Sequence, residues 1–276
     1  YEITTRLVGS EMCIRDRLQL IATGKPLSTA GMMIEDRTRT YTIAMERTVV
    51  PENFSFRMTD EEYRVLEKIK NSIPVCYLAD HADFALGIVT GNNKKFLSAE
   101  KTENSEMVLK GTDICKYHIN PVKQYLRFEP EQFQQVAPLE IYRAPEKLLY
   151  RFISNQLVVA YDDRQMLSLN SCNIVIPKIE GMQIKYILAI LNSSVSQFVY
   201  QKEFHSIKVL RAHMEHIPIP RVGKAIQNEI IAMTEPLICG MGKEAAETCQ
   251  KRLDCRIMDL FRLSAEEQWI IRHALH

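Results

Sequence analysis

Apolar residues in the second half of the chain recur at the spacing of amphipathic helices. Across residues 183–200 they stand three or four positions apart, which predicts one continuous core-facing helix. Residues 223–258 show the same period in two segments, which are separated near residues 240–242 by glycines. Ser264 and Glu267 then predict the start of a last helix, because their side chains can cap each other's backbone amides. We therefore expect a helical tail over residues 223–276.

The chain before residue 183 carries a mixture of short apolar runs and turn residues. Thr59 and Glu62 form the same capping signature, for a helix that ends near Asn71. A short helix is expected over 130–135, and a hairpin turn over 154–156. The irregular alternation predicts an α+β fold, a mixed twisted sheet with packed helices, instead of repeated βαβ units. Strands are predicted at 75–78, 84–89, 107–109, 125–128, 148–153, 157–161 and 173–176.

The pattern divides the chain into four segments. Residues 59–222 are predicted to form the central domain, with 223–276 as the tail. Residues 18–58 contain a β-leaning stretch at 38–45 and are interpreted as a remnant or linker of an upstream domain. Residues 1–17 are interpreted as foreign, because they resemble a translated sequencing adapter of the kind found at the ends of assembled environmental reads. A genuine flexible terminus is the alternative.

Composition is that of an ordinary globular protein. Of 276 residues, 46% are hydrophobic and 25% are charged, and 35 Lys and Arg balance 34 Asp and Glu to a net charge of +1. Any nucleic-acid site therefore has to be a local patch. No apolar run approaches the roughly 18 residues of a membrane span. The seven scattered cysteines contain no C-x-x-C, as is typical of reduced thiols, so a cytoplasmic protein is expected, with no membrane partner.

The sequence lacks the motifs of the common catalytic centres. It has no G-x-G-x-x-G, no P-loop, no G-x-S-x-G and no N-P-P-Y type motif, which presents a flipped adenine in amino-methyltransferases. No Cys and His cluster has metal-ligand spacing, so no metal is expected. The neighbouring carboxylates Asp162 and Asp163 are interpreted as a solvated turn. No catalytic residue is assigned, although Cys115 and His118 leave a standalone thiol enzyme open.

A first cluster of candidate binding residues forms the sharpest turn of the sequence. Its glycine permits close backbone approach to a ligand. Its asparagines can pair with adenine N6 and N7, and its lysines suit guanine or phosphate. An ordinary solvent-exposed turn is the alternative. The residues of this turn are Thr90, Gly91, Asn92, Asn93, Lys94 and Lys95.

Two further clusters supply cations. Arg143, Lys147 and Arg151 are spaced by four. In an extended segment this spacing places all three side chains on one face, with about 13 Å between one cation and the next. Such a row can follow a phosphate backbone; charges that protect a sheet edge are the alternative. Lys208 and Arg211 follow the long predicted helix. Across residues 85–220, 16 Lys and Arg face 13 Asp and Glu, a mild excess compatible with a DNA-facing groove.

Several of these segments, taken in order, resemble a known family. Residues 87–96 match the pattern G-I-x-T-G-x-N-x-x-F, and segments 144–151, 168–171, 186–193 and 217–220 follow. Over about residues 59–220 the chain resembles the TaqI-like C-terminal specificity domain. This is the target-recognition domain of adenine-specific DNA methyltransferases and of fused type II restriction–modification enzymes. Residues 253–254 and 261–267 resemble the helical end of the same proteins.

The resemblance implies a module that reads double-stranded DNA in the major groove, beside an upstream methyltransferase domain of the same protein. That domain would hold S-adenosylmethionine, so no cofactor is expected in this segment. The parent protein would methylate adenine N6 at a specific site. The cations named above would then contact phosphates, and bases would be read by a subset of Asn92, Asn93, Asn170 and Asn192.

Alternatives remain at this point. Asn170 and Asn192 can instead cap or brace the fold. A specificity subunit of a multi-subunit restriction system would carry two such modules in tandem, whereas this chain carries one. The Cys and His enzyme is a second hypothesis, and a protein-interaction module built on the helical tail is a third.

Overall fold

The structure is a computed structural model that describes residues 21–22, 31–35, 40–44, 58–204 and 206–275. Residues 1–17, interpreted above as foreign, lie outside the described residues, as does most of 18–58. The chain forms two compact units, residues 1–64 and residues 65–276, and each is described by itself.

The first unit contains a small antiparallel sheet. Its strands are β1 (Ile21–Ala22), β2 (Gly31–Glu35) and β3 (Thr40–Ala44), in the order β1-β2-β3. Strand β3 lies inside the stretch expected to favour β structure, and Ile43 is buried.

Helix α1 (Asp60–Asn71) begins where the capping signature predicts. The Thr59 amide donates to Glu62 Oε2 at 3.0 Å, and the Glu62 amide donates to Thr59 Oγ1 at 3.1 Å. Three acidic residues in the first turn and two lysines in the last also stabilise the helix, because their charges interact favourably with its dipole.

The second unit has ten short strands and eight helices among its described residues, which confirms the α+β class. The strands are β4 (Val75–Cys76), β5 (Ala82–Ala85), β6 (Leu97–Ser98), β7 (Ser105–Leu109), β8 (Tyr125–Arg127), β9 (Lys147–Arg151), β10 (Val159–Asp162), β11 (Leu167–Ser168), β12 (Cys172–Pro177) and β13 (Ile219–Pro220). The helices are α2 (Asn93–Phe96), α3 (Leu139–Tyr142), α4 (Ile184–Asn192), α5 (Ser194–Glu203), α6 (Arg211–Glu215), α7 (Lys224–Cys239), α8 (Lys243–Leu260) and α9 (Ala265–Ala274). Single 3-10 turns cover Gly111–Asp113 and Pro130–Gln132, the second of which falls inside the expected helix over 130–135.

Two four-stranded sheets build the central domain. One is antiparallel, with the order β10-β9-β12-β5, and the expected hairpin joins β9 to β10. The other has the order β11-β7-β8-β6, in which β11 runs parallel to β7. Strands β9 and β10 are buried almost throughout, so they form the centre of the core.

The predicted strand at 84–89 ends early, at Ala85. Beyond Gly87 the backbone leaves the first sheet, because the Ile88 amide donates to Ser168 O at 2.7 Å and Val89 pairs with Gln135. A Cβ atom at Gly87 would lie 2.0 Å from Leu169 O, so only glycine permits this crossing. The crossing takes the chain from the first sheet toward the turn that precedes α2.

The single helix predicted over 183–200 is wrong, because the structure has two helices there. Ser193 has extended backbone angles (φ −69°, ψ 158°), and its Oγ accepts a hydrogen bond from the Ser196 amide at 3.2 Å. It is therefore the N-cap of α5. The apolar stripe continues across the break between the two helices, which is why the spacing of apolar residues predicted a single helix.

The tail consists of α7, α8 and α9, as expected. Gly240 adopts a positive φ of 79° between the first two, and Ser264 and Glu267 cap the third reciprocally. Helix α7 packs on α4, whereas α8 and α9 pack on α5. No helix within the described ranges is both long and apolar enough to cross a lipid bilayer.

Candidate functional site

The turn before α2 keeps its candidate residues together at the surface. Thr90 is buried, and its Oγ1 donates to Asn93 Oδ1 at 2.6 Å. Gly91 has a positive φ of 73°, which suits glycine. Asn92 is the N-cap of α2, since its Oδ1 accepts from the Lys95 amide at 3.2 Å. Both asparagine side chains thus already hold the turn through their carbonyl oxygens.

The lysines of this turn are exposed. The Lys95 Nζ donates to Gln132 Oε1, on the 3-10 turn that lies beside α2. Asn92, Asn93 and Lys94 are also exposed. The turn therefore presents two amides and two cations outward from a rigid base.

The row of Arg143, Lys147 and Arg151 is not a row of surface cations. Only Lys147 and Arg151 lie on β9; Arg143 follows α3. Lys147 is fully buried, with its Nζ 2.5 Å from Asp162 Oδ2 and 2.6 Å from Tyr142 O. Burial lowers the pKa of Lys147, although the charge of Asp162 acts in the opposite direction. Lys147 is thus an internal charge, and its assignment as a phosphate contact is wrong.

The same pair corrects the interpretation of the two neighbouring carboxylates. Asp163 is exposed, but Asp162 is fully buried, and its two oxygens also accept from the Arg164 and Met166 amides at 2.9 and 3.0 Å. Asp162 is therefore a core residue and not part of a solvated turn.

Arg151 is half-buried and serves the fold as well. Its Nε donates to Gly111 O at 2.9 Å, and its Nη2 donates to Ile114 O. Two backbone carbonyls thus fix its guanidinium against the turn after β7.

Asn192 braces the fold from inside. It is buried at the end of α4, where its Oδ1 accepts from the Val159 amide at 3.1 Å and its Nδ2 donates to Val159 O at 2.8 Å. These two bonds complete the edge of β10. The bracing alternative therefore applies to Asn192, whose assignment as a base-reading residue is wrong, whereas Asn170 is exposed in the turn between β11 and β12.

Four backbone segments meet at one edge of the domain and bring several candidates together. The Gly111 amide donates to Ser171 Oγ at 2.9 Å, and the Phe152 amide donates to Ser171 O at 3.0 Å. The Val209 amide in turn donates to Phe152 O at 2.8 Å. We call this surface the loop edge: residues 110–113, 152–154, 170–171 and 207–211. Its exposed polar side chains include Lys110, Asn170, Lys208 and Arg211.

Arg211 is engaged at the end of this edge. Its Nε lies 2.7 Å from Glu215 Oε1, and its guanidinium carbon lies 5.2 Å from the centroid of the Phe84 ring. The Lys208 Nζ lies 5.8 Å from the Phe152 ring centroid. These contacts hold both cations over aromatic faces while leaving them at the surface.

Two adjoining grooves carry a further group of cations. The larger, of about 580 Å³, is lined by Lys101, Arg143 and Arg164, and the smaller, of about 270 Å³, by Lys110 and Lys123. Pro121 lines both, so the two form one continuous surface, which we call the basic groove: Lys101, Lys110, Lys123, Arg143 and Arg164.

The acidic residues of the basic groove offset little of this charge. Glu106 pairs with Arg143 at 2.6 Å, and Asp113 accepts from the backbone amide of Lys110 at 2.9 Å. Among the described residues, no carboxylate forms an ion pair with the other four cations. The groove therefore has an excess of positive charge in a molecule that is nearly neutral.

Sequence reasoning found only Arg143 of this group. The other four stand singly in the loops around β7, β8 and β11, so no spacing connects them. Only the fold brings these four cations together, and the loops that carry them have no sequence pattern that marks them as a binding surface. Lys110 belongs both to the basic groove and to the loop edge, which makes these two surfaces continuous.

The pair Cys115 and His118 does not have the contacts of a thiol nucleophile and its base. The described bond between the two residues joins the Cys115 amide to His118 O at 3.0 Å. The Cys115 Sγ accepts from Asn120 Nδ2 at 3.3 Å. Among the described residues, no group of three His, Cys, Asp or Glu side chains is arranged to hold a metal ion.

Most of the segment that carries these surfaces matches a known family of domains. Residues 106–219 match the model of the TaqI-like C-terminal specificity domain. This confirms, for that segment, the resemblance inferred from the sequence. The matched segment runs from β7 to β13 and includes four cations of the basic groove and the whole loop edge. No match was found among curated proteins.

Several solved structures also resemble the chain at low identity. The type IIL restriction–modification enzyme MmeI in complex with DNA is 10% identical, with a TM-score of 0.49, over 75% of this chain and 37% of that one. The HsdS subunit from Thermoanaerobacter tengcongensis is 15% identical, with a TM-score of 0.40, over 78% and 50%. The type IIG restriction endonuclease BpuSI is 10% identical, with a TM-score of 0.42, over 83% and 36%. The chain thus spans about half, or less, of the length of these proteins.

Proposed function

We propose that the second unit is the DNA target-recognition module of a restriction–modification system. The observation that carries this proposal is that four of the five cations of the basic groove lie inside the segment that matches the specificity domain. A surface with four cations that no carboxylate neutralises attracts a polyanion, and release of counterions from the phosphates favours binding. Positioning would come from these cations, together with Lys94, Lys95 and Lys208.

Base recognition falls to the exposed asparagines in this proposal. Asn92 and Asn93 present their amides from a capped turn, and Asn170 lies at the loop edge beside Lys110. An asparagine can bond adenine N6 and N7 together, which is the pairing that identifies adenine in the major groove. The removal of one such contact should cost about 1–3 kcal/mol on the recognised sequence and little on other DNA.

The partner in this proposal is an adenine-N6 methyltransferase domain that precedes the module in the same protein. That domain would bind S-adenosylmethionine, which this chain has no motif to hold. With labelled S-adenosylmethionine, the chain should leave DNA unlabelled, and the longer reading frame should label it at adenine N6. Label incorporated by the chain alone, or at cytosine by the longer protein, would contradict this part of the proposal.

A salt titration tests the DNA-binding part. Wild-type chain and the variants Lys123→Ala and Arg164→Ala would be titrated with a fluorescent duplex at several salt concentrations. Each variant should flatten the slope of log K against log salt by about 0.9, because one phosphate contact is lost. Lys243→Ala, an exposed lysine at the start of α8, is the matched control and should leave the slope unchanged. Unchanged slopes in both groove variants, or no DNA binding by the wild type, would overturn the proposal.

A further inference from the structure

A cavity separate from the loop edge and the basic groove lies between the central domain and the tail. Its volume of about 540 Å³ is in the range of sites for small molecules. Its lining comes from the hairpin between β9 and β10, from α5, and from the tail helices α8 and α9. We call it the tail cavity; its charged and buried polar lining is formed by Lys116, Ser194, Gln197, Lys251, Asp254 and Arg272.

Two cations of the tail cavity are held by neutral partners. The half-buried Lys116 donates from its Nζ to Asn192 O at 3.2 Å. The Arg272 Nη2 donates to Cys255 Sγ at 3.3 Å and to Gln268 Oε1 at 3.2 Å. In the part of the chain that the structure describes, no carboxylate forms an ion pair with either cation. Both charges therefore remain available to an anion.

The carboxylate that lines the tail cavity is already bonded to the start of a helix. Asp254 Oδ1 accepts from the Ser194 amide at 2.9 Å, and its Oδ2 accepts from Ser194 Oγ at 2.7 Å. Burial raises the pKa of this carboxyl, whereas these hydrogen bonds and the charges of Lys116 and Arg272 lower it. The two cations thus lie around the same space as Asp254. With Lys251 as the third cation, the described lining has an excess of two positive charges.

A buried amide in the wall of the tail cavity lacks a partner. Gln197 is 5% exposed, and its Oε1 accepts from the Leu157 amide at 2.9 Å. Its Nε2 is buried without a hydrogen-bond partner among the described residues. Such groups are rare in folded proteins, because burial removes the water that would otherwise bond them. The wall of the cavity therefore contains a donor that the described part of the protein does not satisfy.

We propose that the tail cavity binds the phosphate group of a small molecule of about the size of a nucleotide. Lys116, Lys251 and Arg272 would hold the phosphate oxygens through charge-assisted hydrogen bonds, and Gln197 would donate a further one. A concave site with a half-buried lysine fits a small molecule better than the backbone of a rigid duplex. The ligand would contact both the central domain and the tail, so its binding would stabilise the second unit. This inference does not rest on the proposed function.

The test measures binding of adenosine 5′-monophosphate to the full chain by equilibrium dialysis. It should bind at one site, in competition with inorganic phosphate, and adenosine should bind at least about tenfold more weakly because it lacks the charged group. Arg272→Gln and Lys251→Ala, which replace exposed side chains, should each weaken binding about tenfold. Lys243→Ala, also exposed on α8, is the matched control and should bind as the wild type does. The proposal is wrong if neither the nucleotide nor inorganic phosphate binds.

Further variants separate the tail cavity from the basic groove, which could also attract a phosphate. Lys123→Ala and Arg164→Ala should leave the affinity for the nucleotide unchanged, and Arg272→Gln should leave the affinity for DNA unchanged. Loss of nucleotide binding in the groove variants would overturn the proposal. So would a DNA duplex that displaces the nucleotide and binds more weakly to Arg272→Gln, because the tail cavity would then hold the DNA backbone. A rise of the thermal midpoint with the nucleotide in the wild type, absent from Arg272→Gln, would support the proposal.

Discussion

At the scale of single residues, a regular spacing of cations predicted a surface row, but the structure places these cations inside the fold. Lys147 and Arg151 are four positions apart, so they do point to one face of β9, as an extended segment requires. Both faces of β9 are covered, and on this face Asp162 of β10 lies directly opposite Lys147. The periodicity of a strand tells which residues share a face, but it does not tell which face is covered. Lys147 is buried because its charge is paired with Asp162, which lies 15 residues further along the chain.

The buried pair allows a prediction at this scale. Lys147→Met should lower the free energy of unfolding by about 3–5 kcal/mol, because Asp162 would be left as an unpaired charge in the core. Adding Asp162→Asn to that variant should restore much of the loss, since no charge would then remain and one acceptor for the Arg164 amide would be kept. Urea unfolding measures both.

An exposed pair provides the comparison for this prediction. Arg143→Ala breaks the contact with Glu106, in which both side chains are reached by solvent, and should cost no more than about 1 kcal/mol. If the double variant proved no more stable than Lys147→Met, packing and not charge would be what the pair contributes.

At the scale of elements, the sequence predicts types better than boundaries. The capping signatures at Thr59 and Ser264 placed two helix starts correctly, since a cap is a local contact between residues three apart. The strand at 84–89 was predicted too long because its end depends on the close approach of Gly87 to Leu169, which is distant in sequence. The basic groove could not be predicted for the same reason: its cations come from separate loops.

The break between α4 and α5 leads to an element-scale prediction. Ser193 is fully buried, and its Oγ both accepts from the Ser196 amide and donates to Ile190 O at 2.7 Å. Ser193→Ala should therefore cost about 1–2 kcal/mol, the upper part of the range for a lost N-cap. Ser264→Ala, at the exposed cap of α9, should cost less, since water can replace its hydroxyl. Thermal unfolding of the two variants would contradict this if Ser193→Ala were the milder change.

At the scale of the second unit, partly buried polar contacts join the tail to the central domain. The Gln183 amide donates to Gln227 Oε1 at 2.9 Å, and the Ser194 amide donates to Asp254 Oδ1 at 2.9 Å. The start of α4 is thus bonded to α7, and the start of α5 to α8. Burial raises the pKa of the Asp254 carboxyl, although the two hydrogen bonds from Ser194 act in the opposite direction. These contacts indicate that the tail packs as an integral part of the second unit and is not a spacer that folds separately.

Intrinsic fluorescence can test whether the domain and its tail unfold together. The only tryptophan, Trp269, lies in α9, whereas all 11 tyrosines precede residue 201. In a cooperative unit, the tryptophan and tyrosine signals should give the same urea midpoint. Ile257→Ala, which removes a fully buried side chain of α8, should lower both midpoints together, at a cost of about 2–5 kcal/mol. Lys251→Ala, on the exposed face of the same helix, should change stability by less than about 0.5 kcal/mol. If the tryptophan transition came at lower urea than the tyrosine transition, and Ile257→Ala widened the gap between the two midpoints, the tail would unfold independently of the central domain.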